Sequence, residues 1–130
     1  EEQKAFLQKC QFRLHERTGF AAAIWFRETP DATHQHAGTI TAATVAPNIV
    51  EMSYWLAESY IGKGIATRTL RLISQRLLDS GIRQIQLAIA VGNKPSRAVA
   101  DRASYRLDHI EANDATHSYS PTARIVYVFP

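Results

Sequence analysis

The sequence predicts a mixed α/β sheet with a strand–loop–helix–strand unit at its centre. Three observations predict it. Runs rich in β-branched, alanine and aromatic residues, separated by turn signals, fill the stretch from Phe20 to Leu56. The segment "YIGKGIATRTL" (Tyr60 to Leu70) then places a glycine-flanked lysine directly before an amphipathic stripe. A strongly apolar run, Ile82 to Val91, follows that stripe.

Taken in order, Glu1 to Arg17 reads as a helix, because Phe6, Cys10 and Leu14 recur at every fourth residue with Leu7 beside them. Thr18-Gly19 closes it with the glycine that a helix end favours. Phe20 to Arg27 reads as a strand, and Glu28 to Gly38 ("ETPDATHQHAG") as a polar turn region. Thr39 to Val45 is β-branched and reads as the second strand. Pro47-Asn48 turns the chain into a third, Ile49 to Leu56, which predicts an antiparallel meander. From about Ile65 to Asp79, Ala66, Leu70, Ile73 and Leu77 form the stripe of an amphipathic helix that Ser80-Gly81 stops. Ile82 to Val91 is a buried strand. Asn93, Lys94 and Pro95 open a short helix reaching about Ala103, with Asn93 as its cap. Tyr105 to Ile110 and Arg124 to Phe129 read as closing strands.

No repeat, low-complexity tract or Gly/Ser linker divides the chain, so residues 1–130 are expected to form one domain. Apolar residues at 45% and charged residues at 21% fit a globular class. No apolar run is long enough to span a bilayer, and the first ten residues lack a secretory pattern. The single cysteine, Cys10, excludes an internal disulfide and reads as a core residue. These features fit the cytoplasm and give no membrane partner. A net charge of +3, with Arg68, Arg71, Arg76 and Arg83 scattered, does not describe a nucleic-acid surface. His34 and His36 have only Asp31 near ligand spacing, so no metal site is expected.

The glycine loop admits two readings. A helix N-terminus carries unpaired N–H groups, and glycines let a ligand approach, so the loop suits an anion such as a phosphate. Equally, Gly62 and Gly64 can simply shape a tight turn. A nucleotide P-loop is excluded, because Lys63 precedes Gly64 and not Ser or Thr; a three-glycine dinucleotide fingerprint is absent too.

Three segments, in order, resemble the GCN5-related N-acetyltransferases (GNAT), in particular the subgroup acting on ribosomal-protein N-termini. "VEMSYWLAE" (Val50 to Glu58) resembles the subgroup's fourth strand, and "IGKGIAT" (Ile61 to Thr67) the family's pyrophosphate loop. "NKPSRAVADRASY" (Asn93 to Tyr105) resembles its N-x-x-S-x-x-V segment, which usually ends in Gly-Phe. The first helix and "GFAAAIW" are similar as well. The chain departs from the pattern at Ile61, where the family often has Arg, Gln or an aromatic, and at Ser104, where it has glycine. Glu28 to Gly38 is longer than usual, and the chain reads as starting after the family's first strand and helix.

The resemblance implies a GNAT fold and acetyl transfer from acetyl-CoA to a primary amine. Glu51 is then the general base and Ser96 the proton donor to the leaving thiolate, with Tyr105 a second choice. Asn93 lies near the reacting centre. Ser96 and Asn93 read equally as cap residues of the short helix, and Glu51 as a surface carboxylate. The backbones of Trp55, Leu56 and Ala57 pair with the pantetheine arm where two parallel strands splay apart. Ile61, Gly62, Lys63, Gly64, Ile65, Ala66 and Thr67 hold the pyrophosphate, and Arg102 reaches the nucleotide phosphates; Lys63 reads equally as a solvated lysine, and Arg102 as a solvent-facing arginine. Asn93 and Ser96 also border the cofactor. The acceptor implied is a protein N-terminus, as of a ribosomal protein, with a homodimer as the assembly considered. A polyamine or aminoglycoside acceptor, a catalytically silent acyl-CoA-binding module, or a structural domain that binds no cofactor and whose loop is only a turn, are the alternatives.

Overall fold

Alternation along the central strands decides which face of the sheet receives the helices. The structure, a computed structural model, describes residues 4–6, 19–112 and 123–130. Its strands are β1 (Lys4–Phe6), β2 (Gly19–Arg27), β3 (Gln35–Ala46), β4 (Ile49–Leu56), β5 (Gln84–Ala90), β6 (Arg106–Glu111) and β7 (Arg124–Phe129). Helix α1 (Ile65–Asp79) joins β4 to β5, and α2 (Lys94–Arg102) follows β5. The seven strands lie in the order β1-β2-β3-β4-β5-β7-β6. Only β4 and β5 run parallel, as a crossover through a helix requires; the other neighbours are antiparallel.

Period-two burial builds the core. Ala22, Ile24 and Phe26 of β2, Ile40 and Ala42 of β3, Val50 and Met52 of β4, and Ile85, Leu87 and Ile89 of β5 share one buried cluster. Helix α1 lays Ile65, Leu70 and Ile73 onto it, with Leu77 half-buried at the end of the same stripe. Each fully buried Val, Leu, Ile, Met or Phe among these contributes about 1.5–3 kcal/mol by leaving water. The helices are tied to each other and to the sheet. The Arg71 guanidinium donates to the carbonyl of Arg102. Arg97 donates from Nε to the Tyr127 hydroxyl at 3.3 Å and from a terminal nitrogen to the Val91 carbonyl at 3.0 Å.

The predicted α/β order is observed from β2 onward, with three corrections. Of the helix expected over Glu1 to Arg17, the described residues Lys4–Phe6 are instead a strand that pairs with Arg27, Phe26 and Trp25 of β2. The unpaired edge of β2 outweighs the local 3.6-residue pattern there; Leu7, Cys10 and Leu14 lie outside the described residues. The polar segment Glu28 to Gly38 is not all turn, because β3 begins at Gln35. There His36 pairs with Trp25, their rings 5.5 Å apart, across an irregularity in the β2–β3 register. The strand expected over Ile82 to Val91 is shorter, since the N–H groups of Arg83 and Gln84 first turn to the Asn48 carbonyl.

Candidate active site

The strand register opens a gap in the middle of the sheet. β4 and β5 pair only from Ile49↔Gln84 to Met52↔Leu87. Beyond that, β4 continues with β3 as far as Leu56↔Gly38, and β5 with β7 as far as Ala90↔Arg124. The ends of the two parallel strands therefore diverge. Main-chain groups of successive residues alternate in direction along a strand. The N–H of Ala57 donates to the Ala37 carbonyl at 2.8 Å, and the Trp55 carbonyl is aimed so closely at Gly38 that a Cβ there would collide with it. The backbones of Trp55 and Ala57 are thus committed to β3. Of the expected trio only Leu56 turns its polar groups to the gap, and Tyr54 joins it.

The glycine loop lies at the outer end of this gap. Gly62 and Gly64 have φ of 83° and 76°, in the left-handed region, and a Cβ at either would meet no atom within 4 Å. Backbone conformation, not crowding, requires glycine there, and the space in front is open. Gly64 is the N-cap of α1 and provides no side chain to cap it. The first bond into the helix runs from Arg68 N–H to Gly64 O at 3.2 Å. Helix geometry leaves the N–H groups of Ile65, Ala66 and Thr67 without intrahelical acceptors, at the positive end of the macrodipole. The buried side chains of Ile65 and Ala66 anchor this turn.

In front of it lies a cleft of about 480 Å³. Trp55, Leu56, Ile61, Gly62, Gly64, Ile65, Ala66 and Thr67 line it from the β4–α1 side, and Ser96 and Arg102 from α2. Tyr54, Tyr60, Pro95 and Val99 complete the wall. The lining is mostly apolar, with an unpaired row of N–H groups at one end. Lys63 is not part of this wall; its ammonium lies 3.7 Å from the Glu28 carboxylate.

A smaller cavity of about 170 Å³ occupies the gap itself, between Met52, Ser53 and Tyr54 on β4 and Leu87, Ala88, Ile89 and Ala90 on β5. Asn93, the N-cap of α2, and Ser96 within it close the cavity. Asn93 Oδ1 accepts the Ser96 N–H at 3.3 Å, so the capping role read from the sequence is realised in the same side chain that borders the gap. The Tyr54 hydroxyl donates to Ser96 Oγ at 3.3 Å, and these two residues line both cavities. Sequence reasoning passed over Tyr54. The signal was alternation: Val50, Met52, Tyr54 and Leu56 share the helix-facing side, and tyrosine alone is polar among them.

Glu51 is not brought to Ser96. It projects from the opposite face of β4, where Gln86 Nε2 donates to its Oε1 at 3.1 Å and Gln84 donates to Gln86 at 3.3 Å. It lines neither cavity. Ser53, the next residue on its face, does line the smaller one, so Glu51 stands one pleat away from the gap. Tyr105, the second candidate for proton donation, is buried instead. Its hydroxyl pairs with Ser74 Oγ at 2.5 Å, its ring packs on Phe129, and burial pushes its phenol up to about 12 despite the Ser74 hydrogen bond. Ser104 has φ of 69° at the end of α2, so the position does demand a left-handed backbone. Among the described residues no cluster of His, Cys, Asp or Glu could hold a metal ion, and no helix is long and apolar enough to cross a membrane.

Comparison with known proteins adds family and fold. A model of the acetyltransferase (GNAT) domain matches residues 1–106. The chain is 33% identical over 78 residues to "Putative ribosomal N-acetyltransferase YdaF" of Bacillus subtilis (strain 168), covering 59% of this chain and 42% of that protein. Among solved structures, the microcin C7 self-immunity acetyltransferase MccE, in complex with acetyl-CoA and AMP, superposes with a TM-score of 0.71 at 21% identity, covering 85% of this chain and 60% of that one. The ribosomal L7/L12 α-N-protein acetyltransferase RimL, in complex with coenzyme A, superposes with a TM-score of 0.68 at 22% identity, over 83% and 60% of the two chains. The chain thus spans less than half of its curated relative's length and about three-fifths of these structures.

Proposed function

This chain belongs to the GNAT acetyltransferase family, and from that premise we propose that it transfers an acetyl group from acetyl-CoA to the α-amino group of a protein N-terminus. The observation that carries the reading is the β4–β5 gap, open at Met52↔Leu87, running from an uncapped helix N-terminus to a paired hydroxyl. A phosphate-bearing, elongated ligand fits that sequence of groups. The N–H groups of Ile65, Ala66 and Thr67 would hold its pyrophosphate, and the main chain of Tyr54 and Leu56 would pair with its amide-containing arm.

Acetyl-CoA supplies the acetyl group as a thioester: the amine nitrogen bonds to the carbonyl carbon, the C–S bond breaks, and the amide and the CoA thiol result. Ser96 donates its proton to the departing sulfur at the inner end of the cleft and is reprotonated from solvent. Glu51 takes the proton released by the amine through a water in the gap, from the far face of β4. An α-amino group, with a pKa near 8, is about one-tenth deprotonated at neutral pH, so a carboxylate acting at one remove suffices; a lysine-like amine near 10.4 is deprotonated in well under about a thousandth and would require more. That difference, with the name of the YdaF relative, supports an N-terminus of a ribosomal protein over a polyamine or an aminoglycoside. A ribosomal-protein acceptor would place the protein in the cytoplasm.

The test is transfer of labelled acetyl groups to peptides with ribosomal-protein N-termini, beside a polyamine and an aminoglycoside. Labelled peptide with stoichiometric thiol release supports the reading. Labelling of the polyamine or aminoglycoside alone would reassign the acceptor, and bound acetyl-CoA without thiol release would make the chain a silent acyl-CoA module.

A further inference from the structure

We infer that Tyr54 is a positioning residue for the acetyl-transfer step, holding Ser96 so that its hydroxyl hydrogen is free for the leaving sulfur; this rests on the function proposed above. Tyr54 lies two residues past the last parallel pair at Met52, where β5 has turned away and cannot occupy its flank. Its ring is half-buried against the core, which fixes the phenol. From there the hydroxyl reaches Ser96 Oγ at 3.3 Å, and the two side chains form the shared wall of the large cleft and the smaller cavity.

A serine hydroxyl has one donor hydrogen and two acceptor lone pairs. With Tyr54 donating, one lone pair is occupied and the serine hydrogen must point elsewhere. The Ser96 N–H is already held by Asn93 Oδ1, so side chain and main chain of this residue are fixed from two directions. A donated hydrogen bond also polarises the next O–H in the chain and makes it a better donor. Ser96 thereby offers its hydrogen to a sulfur at the end of the cleft, while the phenol stays protonated and behind it. Without the phenol, the serine hydroxyl would rotate among several partners, water included.

The test compares Tyr54→Phe, which keeps the ring, with Ser96→Ala and the double variant. Tyr54→Phe should lower kcat about tenfold, with KM for acetyl-CoA within about twofold of wild type. The double variant should be no slower than Ser96→Ala, because the phenol acts only through the serine. Unchanged kcat in Tyr54→Phe, or losses that multiply in the double variant, would overturn the inference. A second readout needs no turnover: the thiol of bound CoA, titrated by thiolate absorbance, should ionise at lower pH in wild type than in Tyr54→Phe. Equal thiol titrations would overturn the inference while leaving CoA binding intact. Failure of CoA to bind any folded form would instead remove the function on which the inference rests.

Discussion

Ser104 ends α2 in a Schellman arrangement: Tyr105 N–H reaches Ala100 O at 3.0 Å and Ser104 N–H reaches Asp101 O at 3.2 Å. The motif needs a left-handed residue, and serine supplies it against its steric preference. Ser104→Gly should therefore stabilise the fold by about 0.5–1 kcal/mol, the relief of strain less glycine's added unfolded entropy, measurable by urea unfolding. Its neighbour Tyr105 carries a pH signature. The phenol ionises near 10.0 when exposed and at about 12 in the fold. The unfolded chain loses that proton first, so the contribution is complete below pH 10 and is lost as pH rises toward 12. Over this window wild type should lose about 2–3 kcal/mol more than Tyr105→Phe. At neutral pH the same variant should cost about 1–2 kcal/mol by leaving the Ser74 hydroxyl buried and unpaired. The sequence placed tyrosine where a packing aromatic belongs; its partner Ser74 was illegible, being a polar residue inside an apolar stripe.

At the scale of elements, the strand–loop–helix–strand unit was legible because each part has its own local signal: β-branched alternation, two glycines, then the stripe Ala66, Leu70, Ile73, Leu77. The gap was not legible. It exists because β4 keeps β3 and β5 keeps β7 after they have parted from each other, and registers between distant strands leave no local trace. The same limit misplaced the backbone contacts, since the observed Ala57–Ala37 bond and the Trp55 carbonyl aimed at Gly38 tell which residues at this end of β4 turn outward. Hydrogen exchange checks this assignment. Acetyl-CoA should slow exchange at the Leu56 amide about tenfold or more, and leave Ala57, already bonded to β3, nearly unchanged. Equal protection of both would mean that the ligand arm lies elsewhere. The strand at Lys4–Phe6 has a similar cause: it answers to the edge of β2 and not to its own periodicity.

For the whole molecule, the decisive property is that the sheet separates two kinds of surface and is breached where β4 and β5 part. The helix-facing side offers an apolar cleft ending in free N–H groups; the other side offers Glu51, Gln84, Gln86 and the Ser53–Thr41 hydroxyl pair. A cofactor on the first side and an amine on the second would meet at the gap beside Ser96. Occupation of the cleft should also stabilise the fold, by about 2.7 kcal/mol at a hundredfold excess over Kd. The most direct measurement is calorimetric titration with acetyl-CoA of wild type, Gly64→Ala and Gly64→Glu, each confirmed as folded by circular dichroism. The alanine variant carries only the strain of a left-handed backbone, whereas the glutamate also sets a negative charge before the pyrophosphate site. Binding by wild type, weakened in Gly64→Ala and abolished in Gly64→Glu, is the predicted result. No binding by folded wild type, or equal binding by Gly64→Glu, would contradict the assignment of this loop to acetyl-CoA.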